Sequence, residues 1–128
     1  LTAKKIKNFA NLQGEDFTKK YDKDLAAFVR LVIETIDAVL DIDLSEDTVL
    51  YESLLLHMRS AIFRMKYSTA TGESISKYVK KEYKQTFLAT WSTSSLFEEY
   101  YDVQVTEDEL AGIALYIQAA IIRQRGGP

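Results

Sequence analysis

The chain has 128 residues, of which 47% are hydrophobic and 27% charged, a composition typical of a single globular domain. It contains no cysteine, which excludes disulfides and zinc–thiolate sites and fits a reducing, cytoplasmic compartment. The formal net charge of −3 argues against a nucleic-acid-binding module, because such modules usually present a basic face.

Apolar residues recur at helical spacing along the first half of the chain, which predicts helices rather than strands. A short helix is expected over 3–13, and a long helix follows and ends at about Leu40. Ser45 is the predicted N-cap of the next helix, because serine followed by two acidic residues is a favourable helix start. That helix runs to about Lys66.

The second half of the chain continues the helical pattern in three segments. A short helix is expected over 74–83 and a longer one over 85–100, within which the weak helix formers Ser92–Ser95 favour a kink or a break. Thr106 and Glu109 have the spacing of a capping box and predict the start of the last helix.

The expected fold is therefore all-α: a five-helix bundle with a short extra N-terminal helix. We expect an N-terminal helix or linker over 1–16, the helical domain over 17–125 and a flexible tail over 126–128. No apolar run approaches the roughly 20 residues of a membrane-spanning helix, so we expect no membrane segment.

His57 is the only histidine, and it lies in a polar stripe of the helix that ends near Lys66. The helical repeat places it on one narrow stripe with Ser53, Ser60 and Arg64. Apolar residues flank the stripe on both sides: Leu54, Met58, Ala61 and Met65 on one side, and Leu56, Phe63 and Tyr67 on the other. A helix that is apolar around most of its circumference is usually buried. We therefore expect His57 in a polar seam between two packed surfaces.

A second helix repeats this arrangement 59 residues later. In that alignment His57 corresponds to Tyr116 and Arg64 to Arg123, while Ser53 corresponds to Gly112. Each helix thus carries a small residue, a ring and an arginine at the same spacing. By itself His57 has two interpretations: a core histidine bonded to a neighbour, or a charge switch, because histidine titrates near neutrality and accepts phosphate.

Two half-motifs in the chain match a known pattern. The stretch from Leu54 reads L-x-x-H-M-x-x-A-I-x-R, and a loose E-x-A-x-I-A-L-Y-I-x-A-A-I-x-R lies in the last helix, with a tyrosine-bearing helix between them. Together they resemble a PTS regulation domain (PRD), a domain of BglG-type antiterminators and of multidomain transcriptional activators of sugar operons. The resemblance covers about 21–123.

The resemblance implies a five-helix bundle that forms a homodimer and responds to sugar supply. In that family, histidines on the two matching helices receive phosphate through the phosphocarrier HPr or a sugar-specific EIIB. The modification changes the dimer state and so controls an RNA- or DNA-binding domain elsewhere in the chain. Phosphorylation is then expected at His57, and the residues expected to support the phosphate are Ser53, Ser60, Arg64, Tyr116 and Arg123.

The chain departs from the family pattern at two places. The second family histidine falls on Tyr116, which takes no part in histidine phosphotransfer, so His57 is the only candidate site. The Asn-Pro-Leu-type start of the middle helix is replaced by Glu73, Ser74 and Ile75. A regulatory domain that dimerises without phosphate, or a helical domain that senses a small ligand, remains the alternative function.

An enzyme is not expected, because no Ser-His-Asp arrangement and no glycine-rich phosphate loop occur in the sequence. A metal pair in a helical bundle needs Glu-x-x-His motifs on two helices, and one histidine does not suffice. The acidic run Glu107–Glu109 is most simply a helix N-terminus. We therefore expect neither a metal nor a cofactor.

Overall fold

The computed structural model describes residues 15–67 and 75–126, with side chains described from residue 23 onward. Its helices in chain order are α1 (Glu15–Leu40), α2 (Thr48–Lys66), α3 (Ser76–Glu82), α4 (Lys84–Trp91), α5 (Ser94–Tyr101) and α6 (Glu107–Gln124). The expectation of an all-α bundle is confirmed: α4 and α5 together are the predicted fourth main helix, which is broken in the middle. The short helix expected over 3–13 lies outside the described residues.

The break between α4 and α5 follows from hydroxyl side chains that bond to the backbone behind them. The Thr90 hydroxyl donates to the carbonyl of Thr86 at 2.8 Å, and the Thr93 hydroxyl donates to the carbonyl of Thr90 at 2.6 Å. Such bonds compete with the helical hydrogen bonds and favour a turn. The predicted break therefore occurs, and the buried Thr93 fixes its position.

The predicted N-cap of α2 is wrong by two residues. Asp47 caps the helix, because its carboxylate accepts a hydrogen bond from the backbone N–H of Leu50 at 2.9 Å. The Ser45 hydroxyl instead donates to the carboxylate of Asp43. Serine and aspartate are both good N-caps, and the sequence alone did not decide between them.

At α6, by contrast, Thr106 is the N-cap as predicted, accepting from the N–H of Glu109 at 3.3 Å.

The main core is formed by α1, α2, α5 and α6. Phe28 of α1 stands at its centre, with its ring 4.9 Å from the rings of both Phe97 and Tyr101. The other large side chains that are almost completely buried include Leu25, Ile36, Leu44, Leu50, Leu54, Met58, Leu110, Ile113 and Ile117. Burying side chains of this size stabilises the fold by about 1.5–3 kcal/mol each before entropy is counted.

A second, smaller cluster lies on the other side of α6. It consists of Val79, Phe87, Ala111 and Ala114, with Tyr83 packed against it. The two alanines of α6 let α3 and α4 approach closely, so α6 is packed on both sides. None of the described helices is long and apolar enough to cross a membrane.

Candidate functional site

The site is built where α2 and α6 pack against each other in antiparallel directions. An ion pair joins the helices at each end: Arg64 to Glu109 at one end, and Arg123 to Asp47, at 3.1 Å, at the other. His57 and Tyr116 lie between these pairs, with ring centroids 5.0 Å apart. We call these six residues, together with Gly112, the α2–α6 seam.

The imidazole of His57 packs against Gly112 of α6. A Cβ atom added to Gly112 would stand 3.4 Å from Nε2 and 3.6 Å from Cε1 of that ring. The ring therefore packs directly on the α6 backbone: an alanine Cβ would still be in ordinary contact with it, whereas a longer side chain would displace it.

Nε2 of His57 is buried and makes no hydrogen bond within the described residues. Burial lowers the pKa of His57 below its usual 6.5, and the positive charge of Arg64 lowers it further, while Glu109 opposes the shift. The imidazole is therefore neutral at pH 7. A neutral ring nitrogen is the form that acts as a nucleophile or a proton acceptor.

Arg64 is held by Glu109 rather than by His57. Its Nε and Nη2 atoms donate to the two carboxylate oxygens of Glu109 at 2.7 and 2.8 Å. The Glu109 side chain is only 7% exposed, against 28% for that of Arg64. The bond to Glu109 raises the pKa of Arg64 above its ordinary value. This two-point bond stabilises a buried carboxylate that would otherwise be costly.

The role of Glu109 was not predicted from the sequence, in which this residue was interpreted as part of a helix N-terminus. A signal was present, because Glu109 falls on the apolar stripe of α6, four residues before Ile113 and eleven before Ala120. A carboxylate in such a stripe needs a cation on the neighbouring helix. Asp47, the partner of Arg123, was missed because it was not recognised as the helix cap.

The remaining predicted residues border the ring of His57 in different ways. Tyr116 contacts it and is 38% exposed, while Ser53 is half-buried and Ser60 is exposed. Around α2 the two serines lie between His57 and the exposed side of the helix. The solvent side of the ring is thus lined by small polar residues.

One flank of the seam is not packed, contrary to expectation. Leu56, Phe63 and Tyr67 are 71%, 61% and 61% exposed. Leu115 and Ile122 of α6 are 38% and 40% exposed, and they occupy the positions that match Leu56 and Phe63 in the repeated motif. Because the helices are antiparallel, matching positions lie on the same outer side of the pair. We call these five residues the outer apolar face.

The expectation of two packed surfaces was wrong for the single chain because a helical wheel separates apolar from polar positions only. It does not tell a surface covered by the chain's own core from one left open to solvent. In this chain, α1 and α6 cover one flank of α2, and the described residues leave the other uncovered.

Residues 30–120 match the PRD domain family, which confirms the resemblance drawn from the two half-motifs. The match covers more than half of the chain, and the chain therefore belongs to the PRD family, a class of regulatory domains rather than enzymes.

Among characterised proteins, the chain is similar to the probable licABCH operon regulator of Bacillus subtilis (strain 168), with 27% identity over 112 residues. The alignment covers 88% of this chain but only 17% of that relative. No solved structure matches the chain significantly.

Proposed function

We propose that this chain is the regulatory domain of a cytoplasmic transcription regulator of a sugar operon, and that phosphorylation of His57 switches it. The observation that carries the proposal is the buried Nε2 of His57, which has no hydrogen-bond partner within the described residues. His57 stands at the position that the PRD pattern gives to a phosphorylated histidine. Nucleic acid is bound by another domain of the parent protein, since this domain carries a net charge of −3.

The phosphoryl donor is HPr or a sugar-specific EIIB. A lone pair of the neutral imidazole attacks the phosphorus, the bond from phosphorus to the donor breaks, and the ring gives up its proton to solvent. The low pKa of His57 favours this step, because a protonated ring has no lone pair to offer.

The phosphate does not fit where Nε2 now lies. Nε2 is buried beside Gly112, and a phosphoryl group bonded to it there would have no open space to occupy. Phosphorylation of Nε2 therefore requires the ring to leave Gly112 and turn past Ser53 and Ser60 toward the outer apolar face. Nearly two negative charges then arrive at the edge of an apolar surface.

The seam contains the groups that respond to this charge. The phosphate repels the carboxylate of Glu109 and attracts the guanidinium groups of Arg64 and Arg123, both of which are engaged in ion pairs between α2 and α6. Exchange of one of these bonds for a bond to phosphate loosens one end of the seam. Phosphorylation is in this way coupled to the packing of the two helices.

The outer apolar face is the surface whose association phosphorylation would control. Exposed apolar side chains on both helices form a surface that a second copy of the chain would cover in a two-fold homodimer. A charged phosphate at the border of that surface changes the strength of association. Tyr116 places an aromatic ring at the position of the second family histidine, but it takes no part in histidine phosphotransfer. Each protomer therefore has one position that phosphate can switch.

Radiolabelled phosphoenolpyruvate, enzyme I and HPr, with or without EIIB, test the proposal. We expect one acid-labile phosphate per chain, lost in His57→Ala and retained in Tyr116→Phe, which serves as the matched control because it leaves a ring beside His57. Wild-type protein that stays unlabelled with every donor refutes phosphorylation. Labelling that survives in His57→Ala refutes the site.

A PRD that dimerises without phosphate is the second candidate, and the exposed outer apolar face favours it equally. Sedimentation of wild type, His57→Asp and Leu56→Glu separates the two. If Leu56→Glu alone weakens association, the face dimerises but His57 does not control it. If His57→Asp also changes association, the switch is supported. Val39→Glu, at an exposed apolar residue of α1 outside this face, controls for added charge.

A further inference from the structure

A groove lies on the side of α6 opposite the seam. It has a volume of about 430 Å³ and is lined by Lys80, Lys84, Phe87, Leu88, Trp91 and Glu107. Glu107 and Glu109 are two residues apart in α6 and therefore point to opposite sides of the helix. Glu109 bonds to α2, whereas Glu107 pairs with Lys80 of α3. We call this the α3–α4 groove.

The floor of the groove is rigid and its walls are apolar. Phe87 is 5% exposed and belongs to the small core cluster, and the ring of Trp91 stacks on it with centroids 6.1 Å apart. Leu88 and Trp91 are 54% and 37% exposed. An open groove with a large exposed leucine and an indole is the kind of surface on which interface hot spots occur.

Two lysines, Lys80 and Lys84, line the groove, and two more lie near them in the sequence of α3. Residues 76–84 contain four lysines, Lys77, Lys80, Lys81 and Lys84, and a single acidic residue, Glu82. Lys80 is neutralised by Glu107, but Lys77, Lys81 and Lys84 make no ion pair within the part of the chain that the structure describes. Lys84 is therefore the lining residue that offers an unpaired positive charge, and the unpaired Lys77 and Lys81 of α3 add positive charge to the neighbouring surface.

We propose that the α3–α4 groove binds an acidic amphipathic helix of another polypeptide. Its apolar side chains would enter between Leu88 and Trp91, and its carboxylates would meet Lys84 and the lysines of α3. A groove between helices offers no strand edge, so an apolar helix face fits it better than an extended peptide. The site shares α6 with the seam but uses none of its residues, so it is independent of His57 phosphorylation.

Trp91 provides a direct assay, because it is the only tryptophan in the chain and lines the groove. The probe is a synthetic helical peptide of about 16 residues. Leucines at i, i+3, i+4 and i+7 form its apolar face, and glutamates occupy the positions that border this face. We expect a saturable blue shift of Trp91 emission, weakened about tenfold when ionic strength rises from about 0.1 M to about 1 M. The same helix with lysines in place of glutamates should not bind.

Variants separate the groove from the rest of the surface. Lys84→Glu and Leu88→Glu should each weaken binding about tenfold, whereas Leu56→Glu, on the outer apolar face, should leave it unchanged. Both groove variants should take phosphate on His57 as wild type does, so a failure here leaves the proposed function standing. Their urea midpoints verify folding.

Three results would overturn the proposal. The first is no saturable shift with the acidic helix, and the second is equal binding of the lysine helix. The third is a Trp91 shift that depends on protein concentration alone and is lost in Leu88→Glu, because the groove would then be filled by a second copy of this chain.

Discussion

We predict that removing Arg64 lowers the free energy of unfolding much more than removing the charge of Glu109 does. Arg64→Met leaves a carboxylate that is 7% exposed without its two hydrogen bonds. Breaking a buried pair in this direction costs about 3–5 kcal/mol, and we expect the lower end because Arg64 is 28% exposed. Glu109→Gln keeps an acceptor for Arg64 and leaves the cation near water, so about 1 kcal/mol is expected.

Urea unfolding at neutral pH measures both values. With a slope of about 1–3 kcal/mol per molar urea, Arg64→Met should lower the midpoint by at least about 1 M and Glu109→Gln by well under half of that. The double variant Arg64→Met/Glu109→Met should be more stable than Arg64→Met alone, because no charge is left buried. Equal losses in the two single variants, or a double variant no more stable than Arg64→Met, would refute the reasoning.

Two further predictions concern His57 and Gly112. Burial lowers the pKa of His57, so the unfolded chain takes up this proton at a higher pH than the folded chain does. The free energy of unfolding of wild type should therefore fall as pH drops from about 7.5 to about 5.5, by up to about 1.4 kcal/mol per pH unit. His57→Gln should remove this part of the slope in urea midpoints measured across that range; an unchanged slope counts against a buried neutral ring. Gly112→Val should cost about 1–3 kcal/mol by pushing on the ring, whereas Gly112→Ala, whose Cβ would stand 3.4 Å from Nε2, should be nearly neutral. The valine penalty should shrink in a His57→Ala background, and a penalty of the same size there would show that the ring is not the obstacle.

Much of the fold was predictable because it follows from local rules. The helical repeat of apolar residues, the threonine cap of α6 and the break among the hydroxyl residues near Thr93 all depend on neighbours within one or two turns. The wrong N-cap of α2, Ser45 instead of Asp47, arose where two good capping residues compete within three positions. That choice depends on how the preceding turn is folded.

The seam was only half predictable. The repeated motif aligned His57 with Tyr116 and Ser53 with Gly112, and the structure brings His57 into contact with both Tyr116 and Gly112. It did not reveal the partners of the two arginines, because Arg64 and Glu109 are 45 residues apart and Arg123 and Asp47 are 76 apart. Long-range pairs of this kind depend on the direction in which two helices pack.

The sequence by itself determined the helices, the family and the one histidine on which a phosphate switch could depend, because periodicity and residue type are carried locally. Only the tertiary structure decided that Nε2 of His57 is enclosed by Gly112, that Glu109 holds Arg64, and that Leu56 and Phe63 face solvent. Each of these facts depends on the antiparallel packing of α2 on α6. That packing brings together residues that are distant in sequence and leaves one apolar flank uncovered in the single chain.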